Sequence, residues 1–190
     1  MKDTRLLLFL LFVFFLEARL ATAQASDEIQ TDRPDFTEAS STVGQGVWQL
    51  ETGYTFAHAQ EGDSSHSFPE SLLRVGAFSD AFEFRLAANI LNSSQSESSG
   101  FEDLYLGSKI FLLDEEGLQP ELSMVLQSDL PSGGRNVSAS RAQPGVNFLY
   151  GWDLNDTFSL GGSSQANRRF SEFGDAYAEY AQSLTTAISF

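Results

Sequence analysis

Cysteine is absent from all 190 residues. That removes a disulfide framework, a thiolate metal centre, a cysteine nucleophile and a lipid-modified N-terminal cysteine. Histidine is scarce, with only two residues, and cations are few: 11 Lys and Arg stand against 26 Asp and Glu, for a formal net charge of -15. So acidic a chain repels nucleic acid, whose phosphates are bound by Lys and Arg, and no nucleic-acid partner is expected. Only one long apolar run exists, Leu6 to Leu16, and it has 11 residues where a membrane-crossing helix needs roughly 20. No Gly-rich phosphate loop, nucleotide fingerprint or metal-ligand array is present, so no cofactor is expected.

The apolar run follows Lys2 and Arg5 and precedes the small-x-small tripeptide Ala21-Thr22-Ala23, the arrangement of a secretory signal peptide over 1–23. The mature chain is expected to begin near Gln24. Cleavage removes three cations (Lys2, Arg5, Arg19) and two anions (Asp3, Glu17), moving the formal charge from -15 to -16. With no second long apolar run, a membrane location for the remainder means strands rather than helices. The remainder suffices for one domain: residues 24–46 read as a periplasmic lead-in and 47–190 as one all-β unit.

Beyond Val43 the chain alternates with period two, and turn residues cut it into eight runs. Trp48, Leu50, Tyr54 and Phe56 oppose Gln49, Glu51, Gly53 and Thr55. Leu73, Val75 and Ala77 oppose Glu70, Arg74 and Gly76. Phe82, Phe84, Leu86, Ala88 and Ile90 oppose Glu83, Arg85, Ala87 and Asn89. A helix would mix these sets. Leu104, Leu106, Ile110 and Leu112 oppose Asp103, Tyr105, Gly107 and Lys109; Leu122, Met124, Leu126 and Leu130 oppose Glu121, Ser123, Gln127 and Asp129. Three weaker runs follow, around Val146 to Trp152, Phe158 to Gln165 and Glu179 to Phe190, with Leu149, Gly162, Gln182 and Thr186 out of phase.

Charge sharpens the pattern. Glu51, Glu70, Arg74, Glu83, Arg85, Asp103, Lys109, Glu121, Asp129 and Glu179 all take the polar parity, and only Glu102, beside a loop, takes the other. A mid-depth charge on a lipid face costs roughly 2–4 kcal/mol, so this segregation predicts hydrocarbon on one side and a wet lumen on the other. Long polar connections (59–67, 91–101, 131–143, 168–175) alternate with short ones (79–80, 114–117, 153–156), as in antiparallel up-and-down barrels with brief periplasmic turns and extended outer loops. Trp48, Phe82, Trp152, Phe158 and the terminal Phe190 then gather at the periplasmic rim as an aromatic girdle. The expectation is a transmembrane β-barrel of about eight strands in the cell outer membrane, with lipid as partner of its outer face and the barrel-assembly machinery as partner during biogenesis.

Four segments carry a family resemblance: Thr31-Asp32-Arg33-Pro34-Asp35-Phe36-Thr37-Glu38, Pro69-Glu70-Ser71-Leu72-Leu73-Arg74-Val75-Gly76, Glu102-Asp103-Leu104-Tyr105-Leu106-Gly107 and Pro144-Gly145-Val146-Asn147-Phe148-Leu149-Tyr150-Gly151-Trp152. In this order they resemble the bacterial outer-membrane transporter family labelled MetA-pathway of phenol degradation. The resemblance implies an outer-membrane barrel concerned with uptake of small, aromatic or hydrophobic molecules, and it implies no catalytic residues. Members of that family are longer and continue into further strands after the stretch resembling Tyr180 to Ile188. Eight strands closed alone leave an interior about filled by side chains. The alternatives are a small plugged barrel, a truncated reading frame ending at residue 190, or part of a larger assembly.

Candidate lumen-lining residues are Glu51, Glu70, Arg74, Glu83, Arg85, Asp103, Lys109, Glu121 and Asp129. Glu70, Arg74, Glu83 and Arg85 flank a two-residue turn, so opposite charges can pair across strands, as a polar constriction or as plain lumen salt bridges. Asp32, Arg33, Pro34 and Asp35 form either a plug or docking tag or an ordered lead-in. His58 and His66, with Ser64 and Ser65 between them, leave a surface hydrolase conceivable, although a Ser-rich loop supplies such neighbours by composition; no enzyme is expected. Asp114, Glu115 and Glu116 lack calcium-loop spacing, and the tripeptides starting at Asn92, Asn136 and Asn155 read as polar loops rather than glycosylation sites.

Overall fold

The computed structural model describes residues 29–32, 37–58, 64–94, 99–171 and 173–189; the leader expected at 1–23, Arg33, Pro34, Asp35 and Phe190 lie outside the described residues. These residues form twelve strands: β1 (Trp48–Glu51), β2 (Thr55–His58), β3 (Ser64–Ser67), β4 (Ser71–Gly76), β5 (Phe82–Ala88), β6 (Ile90–Ser93), β7 (Gly100–Phe101), β8 (Leu104–Leu113), β9 (Glu121–Leu130), β10 (Gln143–Asp153), β11 (Phe158–Phe170) and β12 (Ala176–Ile188). Every ladder is antiparallel. The principal sheet has eight strands in the order β1-β4-β5-β8-β9-β10-β11-β12, and a smaller sheet runs β2-β3-β6-β7.

The smaller sheet prolongs the first four spans beyond a set of interruptions. Backbone bonds from Gly53 N–H to Pro69 O (2.9 Å), Phe68 N–H to Ile90 O (3.0 Å) and Glu102 N–H to Asn89 O (3.0 Å) carry the pairing across them. The sequence predicts loops over 59–67 and 91–101; instead Ser64–Ser67 and Ile90–Ser93 are strands. A Ser-rich stretch has no apolar parity to announce a strand, yet pairing with neighbours satisfies its backbone groups as well as any sequence would. Likewise β11 runs through Phe170, beyond the expected boundary near Arg168, because Asn167, Arg168 and Arg169 pair with Glu179, Ala178 and Tyr177.

The principal sheet is strongly curved. The Asp32 N–H donates to the Glu51 carboxylate on β1 at 2.9 Å, and the Thr37 hydroxyl donates to Ser183 on β12 at 2.8 Å. Five residues reach at most about 17 Å, whereas seven flat inter-strand spacings amount to about 34 Å. The sheet therefore wraps into a trough around the N-terminal segment. Its up-and-down antiparallel order matches the order expected from the sequence; the closed ring does not appear, since among the described residues no ladder joins β1 to β12.

The two faces of the trough are inverted relative to a water-soluble sandwich. Arg74, Glu83, Arg85, Lys109, Ser123, Asn147, Ser163 and Asn167 are buried on the concave side, with Leu72, Phe111, Val125 and Leu149 as the buried apolar residues among them. Trp48, Leu50, Tyr54, Phe84, Leu86, Leu106, Leu126, Phe148 and Leu184 are exposed on the convex side. Alternation alone explains this: residues two apart share a face, and the parity with the charges is the one that closes over the N-terminal segment.

Candidate functional site

Residues 29–32 and 37–43 lie in the trough as a strap, with polar contacts to the wall along its length. The Arg74 guanidinium donates to the Gln30 carbonyl at 3.0 Å and the Ser41 carbonyl at 3.3 Å. Lys109 Nζ donates to the carbonyls of Ala39 (2.8 Å) and Ser41 (3.2 Å). The Ser40 hydroxyl donates to Glu121 at 2.6 Å, the Val43 N–H donates to Glu83 at 2.9 Å, and the Ser123 hydroxyl donates to the Ser40 carbonyl. Wall residues from β4 to β12 thus read the strap's backbone and short side chains.

Asp32 is the hub. Its carboxylate lies 2.7 Å from Arg85 Nη1, 2.7 Å from Lys109 Nζ and 3.4 Å from Arg74 Nη1, with its side chain fully covered. The ladder explains why an anion is required there. Arg74 and Arg85 are direct cross-strand partners, and like charges placed opposite each other destabilise a sheet. Glu83, opposite Lys109 in the next ladder, meets Arg74 Nε at 3.0 Å and Arg85 Nη1 at 3.4 Å. Glu51 joins Arg74 at 3.3 Å and Glu38 joins Arg85 at 2.9 Å. Three cations therefore face four carboxylates, Asp32, Glu38, Glu51 and Glu83. Burial alone would raise the Asp32 pKa; Lys109, Arg85 and Arg74 overcome it and hold the carboxyl at about 2.

Two cavities flank the strap. One of about 460 Å³ lies toward the long connections, with Glu70, Ala87, Asn89, Glu102, Asp103 and Asp129 among its walls. The other, about 860 Å³, lies toward the short turns, with Glu115, Glu121, Trp152, Asp153, Ser159 and Thr185 among its walls. Glu38 borders both.

Of the lumen residues expected from sequence, the structure unites Glu51, Arg74, Glu83, Arg85 and Lys109 in one buried network. The others sit apart. Glu70 borders the first cavity, although it flanks the same turn as its expected partners. Asp103 accepts from the N–H groups of Gly133 and Ala139, both at 2.9 Å, and so anchors the loop over 131–142. Glu121 holds Ser40, and Asp129 pairs with Arg169 at 2.8 Å. Arg169 escapes the sequence reading because the expected strand ends near Arg168; the parity of Ser163, Gln165 and Asn167, carried on, reaches it. Glu38 is on no strand, so parity gives no signal for it.

The other candidates lie outside the network around Asp32. His66 Nδ1 lies 2.6 Å from the Tyr54 hydroxyl. Ser64 stands opposite His58 in its ladder, but its hydroxyl donates to Ser94 at 3.2 Å. Glu115 accepts from the Asp153 N–H at 2.8 Å, tying two short turns together, and Asn155 accepts from the N–H groups of Thr157 and Phe158 as a turn former. Among the described residues no group of three or more His, Asp or Glu is placed to hold a metal. No curated protein and no solved structure matches the chain. Residues 31–190, from the strap through the last strand, match the family model described as "Putative MetA-pathway of phenol degradation", and the chain belongs to that family.

Proposed function

We propose that the chain is an outer-membrane β-barrel protein that lets small solutes, aromatic or hydrophobic ones foremost, pass passively through a polar interior. The observation that carries this reading is the inverted distribution of side chains. Arg74, Glu83, Arg85 and Lys109 are buried inside while Trp48, Leu50, Leu106 and Leu126 are exposed outside. In water so extended an apolar surface invites association; against acyl chains it is the favourable arrangement, and a charge there would be costly. The family's description, which points to phenol degradation, supports small aromatic molecules as permeants. Export by a cleaved leader, insertion by the barrel-assembly machinery and lipid as the partner of the convex face belong to the same reading. It contains no catalytic step.

A second reading, a non-conducting barrel with a structural or surface-binding role, draws on the strap, which fills much of the concave face. Planar-bilayer recording on the signal-free polypeptide, refolded in detergent, separates the two. Discrete conductance steps are expected for transport, and a folded but silent protein favours the second reading. A polypeptide that stays monomeric and folded in plain buffer would sink both.

A further inference from the structure

We propose that Arg141, Arg168 and Phe170 form a clamp on the convex rim of the sheet for the phosphate of a membrane-lipid headgroup. Charge is otherwise kept off that side. Every Asp, Glu and Lys of the twelve strands, and every Arg but one, takes the concave parity. Arg168 is the exception. It is exposed, and it stands on β11 between Asn167, which is buried on the concave side, and Arg169, which meets Asp129 and Glu179 there. Arg168 faces away from both carboxylates.

The length of β11 says what this cation faces. Thirteen residues at about 3.3 Å each, tilted by about 40°, rise about 33 Å, more than an apolar band about 25 Å tall. The last residues of the strand therefore stand at headgroup level, where a cation costs far less than at mid-depth.

Two guanidinium groups converge there. Phe170, which ends β11 on the same parity, has Arg168 Cζ at 5.2 Å from its ring centroid and Arg141 Cζ, from the loop over 131–142, at 5.0 Å. Arg141 Nη1 also donates to the Gly174 carbonyl in the β11–β12 turn at 3.0 Å. Stacking and that bond position the cations, and neither neutralises them. Among the described residues no carboxylate lies within ion-pair distance of Arg141 or Arg168. In a chain of net charge -15, two exposed arginines gathered on one ring do not come from a surplus of cations. Like charges so placed favour an anion beside them, and the planar fork of arginine matches phosphate. The aromatic surroundings select a lipid as its carrier. Phe173, in the adjoining turn, is 91% exposed; apolar rings beside the cations suit the boundary between headgroups and acyl chains and offer a dissolved phosphate nothing.

The test uses protein refolded in dodecyl maltoside micelles and titrated with lipid A, a phosphorylated glycolipid, with retained lipid counted by native mass spectrometry. Arg141→Gln and Arg168→Gln should each weaken retention about fivefold. Arg168→Lys, which keeps the charge but loses the fork, should restore it only in part. Arg135→Gln removes another exposed cation of the same loop and should leave retention unchanged. For the parent, lipid A stripped of its phosphates should be held as weakly as intact lipid A is by the variants. Full retention by both glutamine variants, or an equal loss with Arg135→Gln, overturns the clamp. Displacement of lipid A by millimolar inorganic phosphate would mark a site for the free ion and overturn the lipid assignment. The clamp rests on the outer-membrane reading: a parent that fails to insert into phospholipid vesicles sinks both, whereas one that inserts while its variants retain lipid A undiminished sinks the clamp alone.

Discussion

Leu126 stands midway along β9 on the convex face, 45% exposed, between Ser108 and Val146 as ladder partners. If that face meets hydrocarbon, Leu126→Arg places a cation near the bilayer midplane and costs about 2–4 kcal/mol, roughly a 30- to 900-fold shift in the folding equilibrium. If the face meets water, an arginine at a half-exposed site changes stability by about 0.5 kcal/mol or less. The neighbouring residue provides the control. Gln127 points into the trough, where it accepts from the Tyr105 hydroxyl at 3.1 Å, so Gln127→Arg should cost about 1 kcal/mol, the value of that bond. Urea unfolding in phospholipid vesicles, followed by the fluorescence of Trp48 and Trp152, measures both. A Leu126→Arg midpoint indistinguishable from the parent's would refute the assignment of lipid to the convex face.

Acid should release the strap late. The Asp32 carboxyl, at about 2 in the folded chain, lies below its ordinary value of about 3.9. A depressed folded pKa contributes stability that is complete above the unfolded pKa and is lost as pH falls through the folded one; here that contribution is about 2 to 3 kcal/mol. Amide exchange over residues 37–43, corrected for intrinsic pH dependence, should therefore stay flat from about pH 7 to about 4 and rise toward about pH 2; a rise already complete at about pH 5 contradicts the buried pairing. Asp103→Ala removes the acceptor for two backbone N–H groups, at Gly133 and Ala139. It should accelerate proteolytic nicking within 131–142 several-fold with little change in the unfolding midpoint, whereas unaltered nicking shows the loop is held by other contacts.

The local part was legible in the chain's own residues: strand periodicity, the up-and-down order and the face on which each charge falls. Alternation such as Phe82, Phe84 and Leu86 against Glu83 and Arg85 is a property of adjacent residues, because successive side chains of a strand point to opposite sides. Serine-rich β3 carries no such contrast, so its sequence reads as loop. The matching of the charges came from long-range pairing and curvature. Register set Arg74 against Arg85, and curvature brought Asp32 to Lys109 across 77 residues of chain. Spacing in a sequence does not encode the distance between groups so far apart; the wrapping of the sheet around its own N-terminal strap does.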